Sequence, residues 1–128
     1  MFLHEFMSAR RDEILATCQA ELAGAQGREE LQRYVEEFFD ETLRAVRRDS
    51  GVRDSNSPLP EGSETAARFG AERQRAGLAV TDVPVLFSAI SQALAKTGEK
   101  YELTISAEEY RILNRCLDAG VATSIENF

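Results

Sequence analysis

One apolar stripe constrains this chain more than any other feature. Leu31, Tyr34, Val35, Phe38, Phe39, Thr42, Leu43 and Val46 recur at i, i+3, i+4, i+7 and i+8, which places them on a single face of a helix. A strand would need period-two alternation, so these residues can be buried together only as a helix. Glu29 and Glu30 open the segment and Arg47 and Arg48 close it, both signs matching the helix dipole. A helix with so continuous an apolar face requires partners to cover it, and the rest of the chain supplies them.

The same periodicity predicts a first helix over 2–23, with Leu3, Met7, Ile14, Cys18 and Leu22 near one face and stops at Gly24 and Gly27. Ser63 is a candidate cap for a helix over 64–76 that ends at Gly77. Thr81 is then the expected cap of a helix whose third position is Pro84, where the missing N–H costs nothing. Val83, Leu86, Phe87, Ile90 and Leu94 form its stripe, and Gly98 is the expected stop. "SAEE" at 106–109 reads as a capping box of Ser106 with Glu109, with Ile105 and Tyr110 as the hydrophobic staple. The last helix carries Leu113, Cys116, Leu117, Val121 and Ile125. Between the second and third helices, "DSGVRDSNSPLPEG" (49–62) combines Ser, Asn, Asp, Gly and two prolines, which predicts a mobile loop. The expected fold class is all-α. It is a compact bundle of about five helices forming one domain over 1–128, with either four-helix-bundle or globin-like crossings, since both bury the same stripes.

At 128 residues such a chain buries roughly two-thirds of its unfolded surface and can hold its own core. No apolar run approaches the ~20 residues that span a bilayer. The opening "MFLHEFMSARRDEIL" mixes charges of both signs, unlike a signal peptide, so a cytoplasmic location is expected. The net charge of −7 opposes phosphate backbones and anionic lipid, which argues against nucleic acid and membrane partners. Cys18 and Cys116 form no CxxC motif and sit in helical stripes, where free thiols pack as small hydrophobes.

The segment "GAERQRAGLAVTDV" (70–83) reads physically as a sharp helix corner. An interior glycine costs about 0.5–1 kcal/mol against alanine, so Gly70 implies close approach of another helix. Gly77 supplies a left-handed stop that turns Leu78 and Val80 back onto the bundle. Arg73, one turn earlier, can bond the last carbonyls or pair with an acidic residue. This stretch also resembles the G-x-x-R-x-x-x-G-x-x-(apolar)-x-x-V pattern of helical input domains at the N-termini of bacterial sensor histidine kinases and stressosome co-antagonists. The matching positions are Gly70, Arg73, Gly77, Val80 and Val83. The opening "FLHEFMSARRDEIL" and the closing "YRILNRCLDAGVATSIENF" resemble the family's first and last helices, in order along nearly the whole chain. Where the family often has a histidine before the first glycine, this chain has Phe69. Its Glu-Tyr and Leu-Arg positions hold Leu86-Phe87 and Ile90-Ser91.

The resemblance implies a non-catalytic cytoplasmic input and dimerisation domain, with a kinase or regulatory module downstream and a homodimer as the assembly. The uncapped "ATSIENF" end fits a last helix that continues into such a module. Phe38, Phe69, Arg73, Leu86 and Phe87 are the candidate lining of a site for an apolar small ligand, and Gly70, Gly77 and Val83 its structural frame. The alternatives are a ligand-free protein–protein adaptor of stressosome type and a histidine phosphotransfer domain. Against the latter, His4 stands in a first turn and lacks the lysine and glycine that usually follow the phosphoacceptor.

No catalytic, metal or cofactor site is expected. The carboxylates of "EEFFDE" (36–41) flank the apolar stripe, and a di-iron bundle would need Glu-x-x-His partners where only His4 exists. A haem would want a second histidine. The serines and threonines fall in caps and loops without a base beside them.

Overall fold

The computed structural model describes residues 1–25, 27–49 and 63–128. Six α-helices follow one another, α1 Leu3–Ala9, α2 Arg11–Glu21, α3 Arg28–Asp49, α4 Glu64–Arg75, α5 Pro84–Lys100 and α6 Ala107–Glu126, with a short 3-10 turn at Val80–Asp82 before α5. Among the described residues the fold is all-α, with one more helix than the periodicity counts. The stripe of α3 lies at its centre: Leu31, Val35, Phe38, Phe39 and Val46 are at most 2% exposed, and α3 touches each of the other five helices. Helix α2 lies along α5 and α4 along α6. In a four-membered up-and-down ring, each helix packs mainly on two neighbours. A central α3 is a different arrangement.

The extra helix arises at Arg10. An unbroken helix would put Arg10 at i+3 from Met7 and i−4 from Ile14, in the middle of the buried stripe. The backbone departs from helical geometry there (φ −111°, ψ 22°), and Arg10 comes out to the surface. Leu3, Phe6 and Met7 before it and Ile14, Leu15 and Cys18 after it all remain buried. The break avoids burying a guanidinium, which costs far more than one disrupted turn.

Four local expectations are corrected by the structure. Thr81 does not cap α5. It lies within the 3-10 turn, whose bonds from Asp82 N to Ala79 O and Val83 N to Val80 O (3.0 Å each) occupy the donors ahead of Pro84. Gly98 does not end α5, which continues to Lys100 and stops where Glu102 adopts φ +54°. Its closing bonds run from Glu102 N to Glu99 O and from Leu103 N to Gly98 O, a Schellman stop built on a non-glycine residue. Tyr110 is 56% exposed and forms no staple. Ile125 is also exposed, because the face of α6 toward the core continues from Ile112, Leu113, Cys116 and Leu117 through Gly120 and Ser124.

The predicted loop at 49–62 lies outside the described residues, except that Asp49 is the last residue of α3. On its far side α4 is firmly capped. Ser63 Oγ accepts from Ala66 N at 3.0 Å. Glu41 of α3 accepts from the Ser63 hydroxyl and from Thr65 Oγ1 (2.8 Å). Its negative charge stands at the positive end of α4.

Candidate functional site

The helix order brings most of the sequence-predicted site residues into one aromatic chain in the core. Phe38 of α3 meets Phe87 of α5 edge to face at 4.8 Å between ring centroids. Phe87 meets Phe69 of α4 at 6.1 Å, and Phe69 meets Tyr34 of α3 at 5.3 Å. Such geometries set the positive edge of one ring against the negative face of another. Leu86 and Val83 are buried in the same core, while Gly77 stands at the exposed end of α4. Gly120 of α6 completes the cluster. A Cβ there would lie 2.6 Å from both Phe38 Cζ and Phe87 Cε1. The two rings therefore fill the space beside Gly120.

Arg73 forms the polar end of the chain. It is only 8% exposed, with its guanidinium 5.3 Å from the Phe69 ring centroid. Burial pulls its pKa down, opposed by the charges of Glu30 and Asp82. A Cβ at Gly27, where φ is +73°, would approach its Nη1 to 3.4 Å. The neighbouring Tyr34 hydroxyl donates to Glu72. Burial first, then the Glu72 carboxylate, push that phenol up to about 12.

At Gly70 the helices α4 and α6 come as close as backbones can. A Cβ there would lie 2.0 Å from the carbonyl oxygen of Ser124. The buried Ser124 hydroxyl donates to Ala66 O at 2.9 Å, so one small residue on each helix makes the crossing. Gly77, at φ +77°, ends α4 through bonds from its own N to Gln74 O and from Leu78 N to Arg73 O. This is the left-handed stop its position calls for, and Leu78 is half-buried. Val80 does not fold inward and stays 43% exposed.

Helix α6 is held at its other end by Glu109. The carboxylate completes a capping box with Ser106 and also accepts from Leu3 N at 2.6 Å, joining the start of α1 to the start of α6. Burial pushes this carboxyl up. The hydrogen bonds from Leu3 and Ser106, helped by His4, outweigh that and hold it below its ordinary value. The sequence reading saw the capping box but not the second partner, because Leu3 is 106 residues away.

The remaining candidate groups have structural partners. Asp40 forms a bidentate pair with Arg11 (2.9 Å to each oxygen) and Glu37 pairs with Arg68 at 2.5 Å. Cys18 and Cys116 are both buried thiols. Burial, with Glu21 nearby, pushes the Cys18 thiol up to about 12. His4 stacks on Phe2 in the first turn of α1. Among the described residues no helix is long and apolar enough to cross a membrane.

A surface cleft missed by the sequence reading opens where the α1–α2 break faces the α5–α6 connection. Its volume is ≈ 520 Å³, and Phe6, Arg10, Tyr101 and Leu103 are among its lining residues. The Arg10 guanidinium sits 4.0 Å from the Tyr101 ring centroid. Only the break at Arg10 puts it there, so the signal was a charged residue in a position the stripe would have buried. No known protein family, characterised protein or solved structure matches this chain.

Proposed function

We propose that this chain is a non-catalytic signal-input module of the kind that precedes a histidine kinase or related regulator, with α6 as its output helix. The observation that supports this most directly is the way α6 is held at both ends. Glu109 joins it to α1, and Ser124 against Ala66 and Gly70 joins it to α4. A displacement of either helix by a partner therefore reaches α6 through the hydrogen-bonded Glu109 carboxylate at one end and through the Ser124 hydroxyl and close backbone contact at the other. The cytoplasm and a homodimer packed along α1 and α6 belong to the same reading, which otherwise draws on the resemblance of the 70–83 segment and the terminal helices.

The test uses the complete product of the gene, incubated with labelled ATP. Phosphate uptake that changes several-fold with Ser124→Ala, at unchanged secondary structure, is the expected result. A product that takes no phosphate, or takes it at the same rate in both forms, overturns the kinase reading. Light scattering over a concentration series tests the dimer, and a strict monomer at high micromolar concentration overturns that part. The second reading, a ligand-free adaptor of stressosome type, draws on the packing of Phe38 and Phe87 against Gly120. Native mass spectrometry that finds an apolar molecule bound within the core would refute it.

A further inference from the structure

We infer that the cleft between the α1–α2 break and the α5–α6 connection binds a small organic monocarboxylate with an apolar body. Its volume of ≈ 520 Å³ falls in the range of small-molecule sites. Its walls divide by chemistry. Phe6, 3% exposed, and Leu103, packed on the core, form an apolar floor. Arg10 stands on one side with its guanidinium carbon over the Tyr101 ring.

The structure holds that guanidinium ready for a ligand. Arg10 is exposed, and its guanidinium carbon lies over the Tyr101 ring. One oxygen of the nearby Glu13 carboxylate accepts from Lys100 at 2.6 Å and from the Tyr101 hydroxyl at 3.0 Å. Its other oxygen has no hydrogen-bond partner among the described residues, and Arg10 lies near enough for its charge to act on the same carboxylate. Packing on an aromatic face restrains the guanidinium, whose paired N–H donors match a planar, two-oxygen acceptor such as a carboxylate. Glu102 also lines the cleft and its charge opposes a second negative group. The chain's net charge of −7 further opposes anions in general. A ligand must therefore combine one carboxylate with enough apolar surface to use Phe6 and Leu103, and free phosphate does neither.

The site adjoins the elements that hold α6. Phe6 lies one turn beyond Leu3, whose N–H binds Glu109, and Leu103 lies in the connection that leads into α6. A bound carboxylate would thus act at the input end of the module proposed above. Binding itself does not depend on that reading, so the titration below and the phosphorylation assay fail independently.

The test is a titration of the isotopically labelled chain with 4-phenylbutyrate, followed by two-dimensional NMR. Parallel titrations use 4-phenylbutyramide and inorganic phosphate. The expected result is saturable shifts centred on the amides of Phe6, Arg10 and Leu103. The neutral amide should bind roughly tenfold more weakly or worse, the cost of losing a charge-assisted fork, and phosphate should leave the site unshifted. Arg10→Gln, a surface change whose own spectrum reports the fold, should weaken the carboxylate by a similar factor. Arg10→Lys should fall between, because it keeps the charge without the fork. Absence of saturable binding at millimolar phenylbutyrate overturns the assignment. So does equal affinity for the amide, equal affinity of Arg10→Gln, shifts centred elsewhere, or an equal response to phosphate.

Discussion

Replacing Gly70 by alanine separates a tight helix crossing from an ordinary helix interior, because the two predict opposite signs. An alanine in an ordinary helix interior stabilises by about 0.5–1 kcal/mol over glycine. At Gly70 the new methyl would lie 2.0 Å from Ser124 O, 2.8 Å from its carbonyl carbon and 3.0 Å from its Cα. These are backbone atoms, so no rotamer change relieves the clash. Carbon contacts are optimal near 3.5 Å, which means α4 and α6 must part by about 1.5 Å. Forced overpacking of this kind costs about 1–3 kcal/mol. The separation also stretches the 2.9 Å bond from Ser124 Oγ to Ala66 O, and a buried hydroxyl left without its acceptor costs about 1–3 kcal/mol. After the gain in helix propensity, the net loss is about 1–5 kcal/mol. For a domain of this size each kcal/mol lowers Tm by roughly 3–5 °C. Urea and thermal denaturation followed by circular dichroism measure both quantities. Gly98→Ala is the internal control. It also lies within a helix, but its Cβ would meet Leu103 only at 3.7 Å, an ordinary contact, so it should stabilise by about 0.5–1 kcal/mol. If Gly70→Ala also stabilises, the crossing is not as tight as described and the coupling of α4 to α6 loses its basis.

Further outcomes follow from other residues. Gly77→Ala adds a methyl with no atom within 4 Å, so its cost is the left-handed backbone alone, about 1–2 kcal/mol. Glu102→Gly removes the same strain at φ +54° and should raise stability by up to ~1 kcal/mol in the same denaturation experiment. Glu109 tests a pH dependence. Its carboxyl is held below the ordinary 4.5 in the folded protein, so the unfolded chain binds the proton more readily. Its contribution is therefore complete above about 4.5 and is lost as pH falls through the lower folded value. Glu109→Ala should lower stability by about 1.5–3 kcal/mol at pH 7. The gap should narrow on acidification, and a constant gap down to pH 2 would refute the charged clasp. The Cys18 thiol, raised to about 12 by burial, should resist iodoacetamide at pH 8 in the folded chain and react after urea denaturation, as read by peptide mass mapping.

Much of the architecture is legible in the sequence because it rests on local rules. The period of the α3 stripe, the Ser63 and Ser106 caps and the left-handed demand at Gly77 each depend on residues within one or two turns. The sequence therefore determined an all-α fold, with α3 carrying the most extended buried face. It also marked Gly70 as a point of close approach, although not which helix approaches. What it left open depends on pairs far apart in the chain. Glu109 is already accounted for by Ser106, and nothing near it indicates Leu3. Gly120 and Ser124 are too small to register in a hydrophobic stripe, yet they let α6 lie against Phe38, Phe87 and Gly70. Arg10 breaks no local rule of composition, because no glycine or proline marks the spot. The first helix divides there because burying the charge costs more than the turn, and that balance exists only once the core has formed around Met7 and Ile14. The same break carries Arg10 to Tyr101 and creates the cleft. Period and capping act over one or two turns, whereas crossings, clasps and clefts are set by which helices meet, and only the tertiary structure decides that.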